Sequence, residues 1–297
     1  MPEPGSAPEK LAAIARRHGA DPAAVVPVPV QGVANRVYLL GNGLVLRIAR
    51  PEHASDLRKE AVVIPAARRA GVRTPAVAAY DDGELLGTPY MVVERAHGVA
   101  PGLPAGPADG RWRDAYRDLG AELATLHEGV GELAGVPVER ASDPRVDVEA
   151  LAIRGYINTE AAQWLTDWFD RLDAYRPDVA LTLVHGDAAP GNLLADPGTG
   201  RLVAILDWGD AARADPAIEF AKLPLRAVPQ VMEGYRGGCD EEWAARILWH
   251  HLHWALGRLP TGPEREARHW SAQPGNRLLE VMRFLVADPP EPWAGLR

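Results

Sequence analysis

Three residues, Gly41-Asn42-Gly43, divide "RVYLLGNGLVLRIAR" (Arg36–Arg50) into two β-rich arms. Asn-Gly between such arms is a strong hairpin signal, because the turn needs backbone angles that glycine and asparagine take with little strain. The stretch predicts an antiparallel sheet. Next, "HASDLRKEAVVIPAARRAG" reads as a helix of about four turns, with Ser55 or Asp56 as its cap, Gly71 as its stop and Pro65 as a point where it kinks or divides. "AVAAY", the turn "DDGELLG" and "PYMVVER" read as two further strands. With a helix over residues 9–18 before it, this is a small α+β unit ending near Arg95.

The Pro- and Gly-dense "AHGVAPGLPAGPADG" (Ala96–Gly110) reads as a connection. Helical patterns follow at Arg111–Glu128, at Asn158–Tyr175 and in "EEWAARILWHHLHWALGRL". The predicted organisation is an α+β fold of two lobes: an antiparallel-sheet lobe over 1–95, a linker over 96–110 and a larger, mostly helical lobe over 111–297. Composition narrows the class. Hydrophobic residues make up 47% of the chain, enough for an ordinary core, and no run approaches the roughly 18 apolar residues of a membrane span. "MPEPGSAPEK" lacks the basic start and apolar stretch of a signal peptide, so a cytoplasmic location is expected. A lone cysteine, Cys239, excludes an intramolecular disulfide and leaves a thiolate zinc site without its ligands. The net charge of -8 gives no electrostatic warrant for nucleic acid or an anionic membrane as partner.

The chemistry concentrates in "LTLVHGDAAPGNLLADP" (Leu181–Pro197), a polar knot between two short apolar runs that read as strands. Such a loop holds Asp187 and Asn192 reachable on a fixed scaffold. Taken alone, the two could simply bond their own backbone in a turn. Asp207 changes that, because a carboxylate ending the apolar run "LVAIL" is poorly explained by solubility. Asp187 supplies a base-like carboxylate, and Asn192 and Asp207 supply hard oxygen ligands suited to Mg2+, which completes its shell with water and phosphate. Arg47 in the hairpin and Glu60 in the next helix form either a surface ion pair worth about 0–1 kcal/mol or a phosphate clamp. Together these are parts for phosphoryl transfer, where the protein mainly positions groups and neutralises charge.

"VHGDAAPGNLL" followed by "LVAILDWGDA" resembles the aminoglycoside phosphotransferase and related antibiotic kinase family, whose members are similar in fold to protein kinases. "GVANRVYLL", "LVLRIAR", "RKEAVVIPAARRAGVRTP", "TPYMVVERAHG", "LGAELATLHE" and "ADPAIEFAKLP" extend the resemblance over roughly residues 30–225. The resemblance implies ATP or GTP as co-substrate and Mg2+ as cofactor. It makes Asp187 the catalytic residue and Asn192 and Asp207 the Mg2+ ligands, with Trp208 in the place of the Phe of a kinase Asp-Phe-Gly. It puts Arg47 in the place of the phosphate-holding Lys and Glu60 in that of its helix partner. Asn35 falls in the loop over the phosphates, and the backbone of Glu94 and Ala96 falls at the hinge that grips the base. His185, Asp215 and Glu219 are expected to order the loop, and Asp210 to serve as a turn or cap. The chain departs from the family at Arg47, where a forked guanidinium replaces an ammonium, at Ala188-Ala189, where a more polar pair is usual, and at Glu219, where a shorter Asp is usual.

From Asp215 onward there are eleven acids and ten bases. A polycation would call for a surplus of carboxylates. The tail offers Trp and His residues instead, with Trp249, Leu252 and Leu256 on a core face and His250, Trp254 and Gly257 placed to line a cleft. The expected acceptor is a hydroxylated small molecule, neutral or weakly charged, such as a sugar-bearing antibiotic. Two other readings stay open: a housekeeping kinase for a small metabolite, and a nucleotide-binding pseudokinase scaffold.

Overall fold

The N-terminal lobe is a five-stranded antiparallel sheet in the order β1-β2-β3-β5-β4. Its strands are β1 (Val26–Pro27), β2 (Asn35–Leu39), β3 (Leu44–Ala49), β4 (Val77–Asp81) and β5 (Tyr90–Glu94). The computed structural model describes residues 7–29, 31–102, 110–176, 179–263 and 269–296. The hairpin sets Asn35 opposite Ala49 and Leu39 opposite Val45, and Gly41 and Gly43 turn it in the left-handed region at φ 84° and 81°. A Cβ on Gly41 would also lie 2.6 Å from that of Ala24, so this glycine serves close packing as well as the turn. The edge strand β1, too short to carry a sequence pattern, was not expected.

Alternation along β3 and β5 gives the sheet two packed faces. Leu46, Ile48, Tyr90 and Val92 bury against Ile14 and Ala15 of α1 (Ala7–Arg17). On the opposite face Ala49, Met91 and Val93 join Leu57, Val63 and Ile64 of α2 (Ala54–Ala70). Each fully buried side chain of this size contributes about 1.5–3 kcal/mol. The same alternation sends Arg47 to the α2 side, where the site lies. Two expectations for α2 need correction. Pro65 does not divide it, because the packed face on both sides of the proline holds the helix through the missing N–H. Neither Ser55 nor Asp56 is its cap: a 3-10 turn at Pro51–His53 runs straight into the helix, and Asp56 pairs with His53 Nδ1 at 2.9 Å. Gly71 ends the helix at φ 104°, as the sequence predicts.

The second lobe contains α3 (Arg113–Gly129), α4 (Pro144–Ile153), α5 (Thr159–Asp173), α6 (Val228–Arg236), α7 (Glu241–Arg258) and α8 (Asn276–Val286). Where α3 crosses α6, a Cβ on Gly120 would lie 1.9 Å from the Val231 carbonyl oxygen, and one on Gly234 would lie 1.8 Å from that of Arg117. Only paired glycines allow that approach. Four short strands lie on this lobe: β6 (Thr182–Val184) pairs with β9 (Ala212–Ala214), and β7 (Leu193–Ala195) with β8 (Leu202–Ile205). The connection leaves β5 at Glu94 and is fastened to β7, with Val99 N donating to Ala195 O (2.9 Å) and Ala195 N to Val99 O (2.8 Å). Residues 103–109 of the expected linker lie outside the described residues. Among the described residues no helix is long and apolar enough to cross a membrane.

Candidate active site

The polar knot is a loop locked from three sides. Gly186 sits at φ 82° with the Asp210 carbonyl oxygen 2.2 Å from where a Cβ would be, so the turn requires glycine. Glu219, fully buried, accepts from the backbone N–H of His185 and, at 3.2 Å, from that of Gly186. His185 Nδ1 accepts from Asp187 N (3.1 Å), which leaves the proton on Nε2 to donate to Leu206 O at 2.9 Å. The His185 ring packs on Trp208 at 4.5 Å between centroids, and Trp208 Nε1 donates to Thr74 Oγ1 at 3.0 Å. His185 therefore ties the Asp187 loop to the Asp207 loop, and the ordering roles expected of His185 and Glu219 match this geometry. Asp215 also orders its surroundings. It caps the 3-10 turn at Pro216–Lys222 and binds Arg246.

On this frame the sequence-predicted residues converge. Asn192 Nδ2 donates both to Asp187 O (2.8 Å) and to Asp187 Oδ2 (2.7 Å). Both amide hydrogens are thereby used, which leaves Asn192 Oδ1 as the side-chain atom able to accept from or ligate a bound group. Asp207 lies two residues beyond β8 at φ 63°, with its side chain half exposed, and its Oδ1 accepts from Arg47 Nη2 at 3.1 Å. Arg47 also forks onto Glu60, with Nη1 on Oε2 and Nη2 on Oε1 at 2.9 Å. Glu60 is 1% exposed, so the pair is no surface bridge; burial pushes its carboxyl up, against the pull of Arg47.

Arg47, Asn192 and Asp207 together line a cavity of about 480 Å3 between the lobes. Val37, Val45, Leu194 and Leu206 give it apolar wall, and Asn35, Glu94 and Ala96 line it too. The apolar side chains suit a base, and Arg47, Asn192 and Asp207 suit phosphates. Asn35 needs correction: it is not in the loop but opens β2, buried, with no hydrogen-bond partner for Oδ1 among the described residues. An amide oxygen and a carboxylate at the phosphate end fit Mg2+, because both are hard oxygen donors and the cation takes its remaining ligands from water and phosphate.

A second cavity, of about 470 Å3, is linked to Asp187 through Lys222, which lines it and reaches Asp187 Oδ1. Trp254 and Gly257 line it as expected, but His250 does not. Buried at 1% exposure, His250 faces Asp215 at 3.4 Å, and His253 of the next face takes its place in the cavity. Trp249, Leu252 and Leu256 are core, as their spacing predicts. The near-zero charge of the tail does not describe this wall, which brings Lys222, Arg258 and Arg277 together with one carboxylate, Asp147. Lys222 was missed in the sequence. It follows the apolar "AIEFA", where an ammonium needs a reason, and its Nζ lies 3.6 Å from Asp187 Oδ1. Nothing in the sequence pairs Arg277 with it, because the two meet only through tertiary packing.

Comparison with known proteins agrees with this geometry. The Phosphotransferase enzyme family matches over residues 25–260. An aminoglycoside 3'-phosphotransferase of Streptomyces fradiae is 32% identical over 190 residues, which cover 58% of this chain and 65% of that protein. The chain thus spans just under two thirds of that relative's length. Among solved structures, the GDP complex of an aminoglycoside 2'-phosphotransferase superposes with a TM-score of 0.65 at 19% identity, covering 93% of this chain and 96% of the other. The apoenzyme of a macrolide 2'-phosphotransferase from Brachybacterium faecium superposes with a TM-score of 0.56 at 22% identity, covering 95% and 98%. The fold shared with these structures is the two-lobed kinase-like α+β architecture expected from the sequence.

Proposed function

Because the chain belongs to the Phosphotransferase enzyme family, we propose that it transfers the γ-phosphate of ATP or GTP to a hydroxyl of a small molecule, an antibiotic or related sugar-bearing natural product. The observation that carries the reading is a chain of contacts between two cavities: Arg47 and Asp207 meet in the first, which Asn192 also lines, Asn192 holds Asp187, and Asp187 faces Lys222 of the second, which Trp254 lines. The nucleotide lies in the first with its base at Glu94 and Ala96, its phosphates at Arg47. Mg2+, held by Asn192 and Asp207, supplies charge neutralisation at the phosphates when bound. The acceptor lies in the second, with its hydroxyl at Asp187. Asp187 orients that oxygen in line with the γ-phosphorus and takes its proton as the new P–O bond forms and ADP or GDP leaves.

The Arg47–Glu60 pair supports the clamp role, since a guanidinium that reaches both Glu60 and Asp207 keeps a donor edge for phosphate. Relatives named for aminoglycosides support a sugar hydroxyl as nucleophile. A polycationic acceptor is disfavoured by the cations Lys222 and Arg277 in the acceptor wall, which equally favour the second reading, a kinase for a small metabolite. The deciding experiment measures ADP or GDP release with and without Mg2+ across aminoglycosides, macrolides, nucleoside antibiotics and hydroxylated metabolites. Acceptor-stimulated, Mg2+-dependent release by the wild type and none by Asp187→Asn is the expected result. Nucleotide binding without release for any acceptor would favour a scaffold role.

A further inference from the structure

Trp254 is flanked by two cations. Lys222 Nζ stands 3.6 Å from its ring centroid and Arg277 Cζ 4.9 Å from it, with Arg277 also 4.8 Å from the Trp270 ring. Both cations line the second cavity, and Lys222 Nζ reaches Asp187 Oδ1 at 3.6 Å. Desolvation lowers the affinity of each for its proton: burial pushes Lys222 down, against the pull of Asp187 and Asp210, and burial with the nearby charge of Arg258 pushes Arg277 down to about 10. Arg277 donates to the Ala221 carbonyl at 3.0 Å, and among the described residues no carboxylate comes within 4.0 Å of it. The one other carboxylate of the wall, Asp147, faces His253 at 3.2 Å. Stacking on an indole offsets part of the cost of holding a cation out of water but does not neutralise it. Two like charges so placed, with only Asp187 in contact with one of them, describe a receptor for negative charge.

We propose that the acceptor is a hydroxylated anion, a compound whose carboxylate or phosphate sits against Arg277 and Lys222 over the Trp254 ring while its hydroxyl meets Asp187. This rests on the kinase reading and deepens it. The reaction balances as above: the hydroxyl oxygen bonds to the γ-phosphorus, the bond to the β-phosphate oxygen breaks, and the proton goes to Asp187. The anionic group takes no part in bond making; it orients the acceptor. Among the described residues Arg277 meets Ala221, Trp254 and Trp270, none of which lines the nucleotide cavity, so its part is in acceptor choice.

The test uses matched pairs: hydroxy acids and sugar acids beside their methyl esters, and sugar phosphates beside the free sugars, with an aminoglycoside as the polycation. Each is titrated calorimetrically into the full chain, with and without a non-hydrolysable MgATP analogue. Binding of that analogue, measured first, tests the kinase reading separately. The charged member of a pair should bind tighter by roughly tenfold or more, and its affinity should fall as salt rises. The carboxylate and phosphate series show which anion is meant. Arg277→Met should erase the preference, and Arg277→Lys should keep most of it. If Arg277→Met fails to fold, the wild-type pairs and the Lys variant still decide. Equal binding of ester and acid and of sugar and sugar phosphate, tighter binding of the aminoglycoside, or no binding of any anion at millimolar concentration overturns the proposal.

Discussion

Asn192 holds Asp187 by two hydrogen bonds from one amide nitrogen, at 2.8 Å to its backbone carbonyl and 2.7 Å to Oδ2. Asp187 is thereby left with Oδ1 turned to Lys222 of the second cavity, while Asn192 lines the first. In the proposed reaction this one side-chain pair separates the group that would receive a proton from the group that would hold a cation.

Asp187→Asn should keep nucleotide affinity near the wild-type value and lower turnover by at least about two orders of magnitude, the scale of a positioned acid or base group. Calorimetry of MgATP beside steady-state turnover checks both halves. A variant that keeps more than about a tenth of the turnover would remove Asp187 from the mechanism.

Asp207→Gly separates stability from function. At φ 63° a glycine relieves the backbone, and the contact to Arg47 from a half-exposed side chain is worth no more than about 1 kcal/mol. The melting temperature should stay level or rise while nucleotide binding loses its dependence on Mg2+. A cation dependence unchanged from the wild type would make Asp207 structural.

Arg47→Met strands a carboxylate that is 1% exposed. Breaking a buried pair in this way costs about 3–5 kcal/mol, read as a shift in the urea midpoint. Adding Glu60→Gln should recover much of that loss but none of the nucleotide affinity. Arg47→Lys should fold and show a raised KM for nucleotide, because one ammonium cannot reproduce the fork.

Asp215 gives the acid limb of stability. Burial alone would raise its carboxyl, but His250 and Arg246 hold it well below the ordinary carboxylate range. Its folded value is therefore below the unfolded one, so its contribution is full above about pH 5 and fades as pH falls through the folded value. Asp215→Asn should be less stable at neutral pH and lose less stability on acidification. Parallel acid dependence of melting in variant and wild type would exclude this linkage.

Gly120→Ala should cost at least about 2–3 kcal/mol, since its Cβ would lie 1.9 Å from the Val231 carbonyl oxygen and the two helices must part. Gly131→Ala, with nothing within 4 Å, is the control. Similar melting of the two variants would mean that α3 and α6 are not so closely joined.

The sheet lobe was legible because its signals are local: a Gly-Asn-Gly turn, alternation in β3 and β5, and a glycine stop at Gly71. Residues in motifs were legible too, and Asp187, Asn192 and Asp207 do meet. What escaped depends on distant partners. Helical spacing could not choose between His250 and His253 for the cavity, because Asp215, thirty-five residues before His250, decides which one is buried. Net charge over the tail averaged away the grouping of Lys222 with Arg277, which arises only when α8 packs beside α7. The continuity of α2 through Pro65 was likewise a tertiary effect, since its inner face decides it.

The two-way bond between Val99 and Ala195 makes a gauge of β7. That strand starts at Leu193, next to Asn192, and ends where the connection from Glu94 and Ala96 is fastened. Three residues of strand, about 10 Å, thus stand between Asn192 and the chain that follows Glu94 and Ala96. With the nucleotide placed as proposed, a free base, or phosphates alone, would reach one end of that interval, whereas a nucleoside polyphosphate would engage both at once and gain the affinity that comes from linking two weak contacts.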